Sequence, residues 1–249
     1  MKAINFVFLI LLFFSCSPIY YAPNAHNVPI FTEKNQGNFS GGIVNYGFSE
    51  PTGDLGGTGL VAQTAFSFSN HFAVQGNCMF SAGLSSNVNY FDGALGYYKP
   101  INDELVFEIY TGVGGGYTYS IFDYDNILFK DSLITRVNSN YLKFYAQPSI
   151  GFHKGSFFAS LDTRIGVLSF NNVRYDTTDS LQIANIYLDA LYKSHTLIEP
   201  AISLGINAPH VQFKWQIHFN SVIGKEVLPR YTLGTSFIVG ILLNRKFME

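Results

Sequence analysis

The chain is short of charge. Asp, Glu, Lys and Arg together make up 13% of its 249 residues, about half of the roughly 25% usual in soluble globular domains, so a conventional water-facing shell is hard to build from it. The formal net charge is -2, and Lys and Arg form no cluster that could track phosphates, which excludes nucleic acid as a partner. Cysteine is nearly absent, with Cys16 and Cys78 the only two; without a second thiol in the body of the chain, stability has to come from packing or from the surrounding medium. Long apolar runs are missing too, apart from Phe6 to Phe14, which is too short to span a bilayer.

That run follows Lys2 and precedes Ser15 and Cys16, the pattern of a secretory signal. Residues 1–15 are therefore expected to be a signal peptide. A small residue before a Cys, directly after the apolar core, resembles the lipobox of bacterial lipoproteins, which implies lipidation of Cys16. Phe13 stands where that pattern has Leu, so ordinary cleavage further on stays open.

Aromatics, by contrast, reach 16%, and they alternate with polar residues. In "VQFKWQIHFN" (211–220), Val211, Phe213, Trp215, Ile217 and Phe219 share one side, while Gln212, Lys214, Gln216, His218 and Asn220 share the other. A period of two is that of a β-strand. It recurs from Leu105, Tyr141, Ser156 and Tyr231, the last placing Phe237, Val239 and Ile241 on its apolar side, and more weakly near 38–48, 58–69, 72–83, 89–98 and 196–206. About ten strands follow, many of about 10 to 14 residues.

The connections alternate in length. Short turns come at 69–71, 99–104, 153–156 and 207–210, and long polar loops at 49–57, 122–140, 171–194 and 224–230, with 83–87 a short link in a long-loop slot. This predicts an all-β fold: a closed antiparallel transmembrane β-barrel of about ten strands (8 to 12), with short periplasmic turns and longer extracellular loops. Alternation alone does not say which face meets water. The polar faces are rich in Gly, Ser, Gln and Tyr, and from residue 58 on no charge falls on an apolar face within the strands, as expected where a misplaced charge at the bilayer midplane costs about 2 to 4 kcal/mol. The apolar faces, Val211, Phe213, Trp215, Ile217, Phe219, Phe237, Val239 and Ile241 among them, are therefore assigned to lipid.

Glu108, Lys143, Asp162, Arg164, Glu199 and Lys214 then point inward, with signs that cancel, and His218 joins them. Arg164 and Glu199 fall at similar depth on neighbouring strands and are expected to pair, whereas Glu108 and Lys214 can meet only across the lumen. Such a set reads as a network neutralising buried charge, or as a selectivity lining or catalytic site. Catalysis finds little support. His218 and Ser221 point to opposite faces, His218 with Ser236 is a single pairing, no metal-ligand spacing occurs, and "GVGGGY" (112–117) has neither the Lys nor the helix of a phosphate loop. Strand glycines more often mark a bend, or room for a bulky neighbour inside a barrel. No enzyme activity, cofactor or metal is expected. "SLQIANIYLDALY" (180–192) puts Leu181, Ala184, Leu188 and Leu191 on one helical face, consistent with a short helix capping the mouth, a partner contact or a strand extension above the membrane.

Between the signal and the first strand, Pro23, Asn24, Asn27, Val28, Pro29, Thr32, Glu33 and Lys34 resemble the N-terminal pattern of uncharacterised outer-membrane barrel proteins from Bacteroidetes, which carry Pro-Asn, Asn-Val-Pro and Thr-Glu-Lys before strand one. The resemblance implies a barrel but supplies no activity. Residues 16–37 are expected to form an extended periplasmic segment, a strap or plug, and residues 38–249 the outer-membrane barrel. The expected surroundings are outer-membrane lipid, with an extracellular or periplasmic protein partner left unspecified. The expected role is structural, adhesive or that of a small-solute pore; a lipid-modifying enzyme and a soluble periplasmic lipoprotein holding a hydrophobic ligand are the alternatives.

Overall fold

A computed structural model describes residues 19–50, 55–83, 86–125, 132–176, 187–224 and 227–244. Cys16 and the signal, like Leu181 and Ala184, lie outside the described residues. The strands are β1 (Gly37–Glu50), β2 (Leu55–Ser67), β3 (Phe72–Ala82), β4 (Ser86–Pro100), β5 (Leu105–Asp125), β6 (Ser132–Lys154), β7 (Phe157–Tyr175), β8 (Ser194–Asn207), β9 (Val211–Phe219), β10 (Ser221–Ile223), β11 (Arg230–Tyr231) and β12 (Leu233–Leu243).

Each strand from β1 to β8 pairs antiparallel with the next, β12 pairs with β9, and β12 also pairs with β1, from Gly37 opposite Leu243 to Tyr46 opposite Gly234. That last seam closes the sheet. Because β10 continues β9 alongside β8, and β11 precedes β12 alongside β1, the 12 strands make a closed antiparallel barrel of ten staves. Closure joins the staves that would otherwise be edges, the condition for a sheet to sit in hydrocarbon.

Lipid-type side chains cover the outside. Phe213, Trp215, Phe219, Phe237, Val239 and Ile241 are exposed, and Val211 and Ile217, on the same face, are partly so. On β6 the apolar outward run extends from Leu142 to Phe152, about 33 Å along the strand and about 25 Å in height at the usual tilt, the thickness of the apolar band of membrane barrels. Above Leu142 the outward residues are Asn140, Asn138 and Arg136, so β5 and β6 continue beyond the band as a hairpin. Much of the segment expected as a loop over 122–140 is therefore strand, and β7 likewise runs on to Tyr175. The reason is visible on the inner face, where Thr135, Val137 and Ser139 are buried in alternation.

Tyr231, in step with outward Phe237, Val239 and Ile241 and so expected on the same face, departs from it. The chain breaks between β11 and β12, and the Tyr231 ring turns in to stack on Tyr46 at 4.8 Å. In the β7–β8 connection, Leu188–Tyr192 forms a 3-10 helix whose Leu188, Ala190 and Leu191 are buried. They join Tyr46, Tyr90, Tyr141, Leu228 and Tyr231 in an apolar cluster inside the long-loop end of the barrel.

Candidate functional site: a lumen filled by the N-terminal segment

The interior is shaped by glycines. A Cβ at Gly112 would meet the Tyr145 ring at 2.7 Å, one at Gly114 the Tyr90 ring at 2.6 Å, and one at Gly116 the Tyr141 hydroxyl at 2.5 Å. The "GVGGGY" stretch thus makes room for inward tyrosines from neighbouring strands rather than for phosphate.

Residues 19–31 run through the space that remains. Ile19, Tyr20, Tyr21, Ala22, Asn24, Ala25, His26, Asn27, Val28, Ile30 and Phe31 are all 3% exposed or less. This strap lies within the barrel wall, not beneath it in the periplasm. It carries two prolines and no alternation, and it touches the sheet's ladder only in a parallel bridge from Tyr21 to Arg230, so its other buried backbone groups need partners from elsewhere. The inward glutamines supply many of them. Gln63 donates to the Ala25 carbonyl at 2.8 Å, and Gln147 to the Asn27 carbonyl at 2.9 Å. Gln216 accepts from the His26 N–H at 2.7 Å and donates to its carbonyl at 3.1 Å. An amide side chain both gives and takes, which suits it to an extended backbone.

The seven predicted lumen residues are all buried, and the strap reaches most of them. Glu108 accepts the Phe31 N–H at 3.0 Å. Asp162 contacts the His26 ring, which stacks on His218 at 6.3 Å between centroids. Lys214 donates to the His26 carbonyl at 3.1 Å and to Gln63 at 2.9 Å. Glu108 and Lys214 therefore do not meet across the lumen; the strap lies between them.

The expected Arg164–Glu199 pair is replaced by another. The two are direct neighbours in the β7–β8 register, yet Glu199 forms its ion pair with Lys143 of β6. Tyr21 closes the triangle, donating to Glu199 at 2.6 Å and accepting from Lys143 at 2.7 Å. The physical reason is Gly166 on the intervening strand, over whose bare Cα the Lys143 chain passes, Cε lying 3.3 Å from where a Cβ would be. Arg164 turns instead to Gln147, donating through Nε and Nη2 at 3.1 and 2.8 Å, and lies over the Tyr145 ring at 4.5 Å. This arrangement neutralises two buried charges and adds the hydrogen bonds a buried ion pair needs.

Sequence reasoning missed Asp92, on the inner side of β4, which takes hydrogen bonds from Asn77 at 2.5 Å and Tyr145 at 3.0 Å. Its position between outward Phe91 and Gly93 was the available signal. His218 lies opposite Gly234, while Ser236 lies opposite Gln216, so the two candidates for a Ser–His pair share a face without facing each other. Among the described residues, no group of three or more His, Cys, Asp and Glu side chains could hold a metal ion.

No family model and no curated protein matches the chain. Solved structures do. The outer-membrane protease OmpT from Escherichia coli is 8% identical with a TM-score of 0.46, covering 87% of this chain and 97% of its own. The translocator domain of the autotransporter NalP from Neisseria meningitidis is 8% identical with a TM-score of 0.46, covering 88% of this chain and 90% of its own. LpxR from Salmonella typhimurium is 7% identical with a TM-score of 0.38, covering 82% of this chain and 99% of its own. The expectation that the chain is no enzyme is corrected here: an outer-membrane protease stands among the barrels it resembles. The likeness is one of fold.

Proposed function

We propose that the chain is a bacterial outer-membrane barrel that keeps its own lumen closed and acts through its long-loop face, in a structural or adhesive role rather than as an open small-solute pore. It is exported by its N-terminal signal, sits in outer-membrane lipid through its apolar band, and turns its short connections to the periplasm. The observation that carries this reading is the strap, whose residues from Ile19 to Phe31 fill the barrel and engage its walls through backbone and side chain alike. Of the pattern resembling the Bacteroidetes barrel proteins, Pro23, Asn24, Asn27, Val28 and Pro29 fall within this buried stretch and Thr32, Glu33 and Lys34 just beyond it, and the proposal extends to that family: the first part of its signature is that of a lumen filler.

Conductance in planar bilayers tests the reading. The intact protein is expected to give no steady channel steps, and a chain lacking residues 19–31 that still folds is expected to give them. Steady open-pore conductance from the intact chain sinks the closed-barrel reading. Localisation is tested separately: the protein should resist a carbonate wash and leave the membrane fraction only in detergent.

A further inference from the structure

We infer that the strap delivers the mature N-terminus to the long-loop side of the membrane, and so, given the orientation proposed above, to the cell surface. The course of the strap carries the argument. At its C-terminal end the Gln36 N–H donates to Ser67 Oγ at 2.9 Å, and Ser67 ends β2 beside the short 68–71 connection. Moving toward the N-terminus, the Phe31 N–H meets Glu108 low on β5, and His26 meets Gln216 and Lys214 on β9. Ile19 lies at the other mouth. Its carbonyl accepts from Ser120 at 2.8 Å, and Ser120 is opposite Ser86, the first residue of β4 after the 83–85 link. The Tyr20 N–H donates to the Pro229 carbonyl at 2.9 Å, within the long connection between β10 and β11.

From Ile19, three residue steps lead back to Cys16, a reach of about 10 Å when fully extended. The apolar band is about 25 Å tall, so the chain cannot return to the short-turn side over that distance. An acyl group on Cys16 would therefore enter the leaflet next to the long loops, the outer one, whereas a lipoprotein tethered from the periplasm uses the inner one.

Accessibility of single thiols to a membrane-impermeant maleimide tests this in whole cells. In a Cys78→Ser background, Pro18→Cys reports the N-terminus, Ser180→Cys a long loop and Asp103→Cys a short turn; label on the background alone reports Cys16. Each chain is checked for heat-dependent gel mobility, and Ser17→Cys replaces Pro18→Cys if the latter fails to form a barrel. The expected result is that Pro18→Cys labels on intact cells to the same extent as Ser180→Cys, with Asp103→Cys at least tenfold weaker until the cells are lysed. Labelling of Pro18→Cys only after lysis, together with Asp103→Cys, overturns the inference, as does its failure to label in either condition. Should Ser180→Cys prove hidden and Asp103→Cys exposed, it is the proposed orientation that falls, and the course of the strap is still decided by which of the two Pro18→Cys follows.

Discussion

Lys143, Glu199 and Tyr21 place two opposite charges and a phenol where no water reaches them: Lys143 and Glu199 are 0% exposed. Removing one partner leaves the other charge uncompensated in a low-dielectric interior, at a cost of about 3 to 5 kcal/mol. Glu199→Gln is therefore expected to lower stability by about that amount, seen as an earlier onset of the heat-induced gel shift, and Lys143→Met together with Glu199→Gln should recover part of it. A double variant no better than the single one would contradict the pairing. Strand parity made the inward position of both residues legible. Their partnership was not, because it depends on a glycine at position 166 that lets a side chain cross a neighbouring strand, and on a tyrosine from a segment with no period. His26 was hidden in the same way: nothing in "APNAHNVP" says that its ring ends against Asp162.

At the level of the element, the strap and the staves fit each other residue by residue. Ile30 adopts a left-handed backbone with φ 56°, unusual for a β-branched residue, and packs over Gly151, where a Cβ would come within 2.6 Å of its Cγ1. Val28, Val106 and Phe158 complete this cluster. Gly151→Val is expected to expel the strap from its lower seat, and the measurement is bilayer conductance, with flickering steps where the parent is silent. Gln216→Leu removes both of its bonds to His26 and should cost about 1 to 3 kcal/mol for the buried groups left unpaired, read as a lower temperature for the gel shift. The strands were legible because each alternates over many residues. The strap's place was not, although the inward glutamines at 63, 147 and 216 were in view as part of a polar face. Such a face suits water equally well, and only the filled interior reveals that its amides grip a polypeptide.

For the whole molecule, the apolar exterior sets the behaviour. Phe237 faces outward near the middle of its stave, 56% exposed, and Phe237→Arg is expected to cost about 2 to 4 kcal/mol at the bilayer midplane. Chemical unfolding from lipid vesicles measures it; the inward Gln212→Arg gives a comparison that lipid does not sense. The closed barrel, its ten staves and its outward apolar sides could be read from composition, alternation and the rhythm of long and short connections. The extent of the β5–β6 hairpin could not, since outside the hydrocarbon polar residues serve strand and loop equally. Closure itself has a consequence for assembly. The seam between β1 and β12 completes a ring around a chain end that leads straight into β1, leaving two routes to the native state: threading the end through a finished ring, or zipping the ring shut around it. A bulky group on that end would leave only the second, making the strap the form on which the sheet is wound.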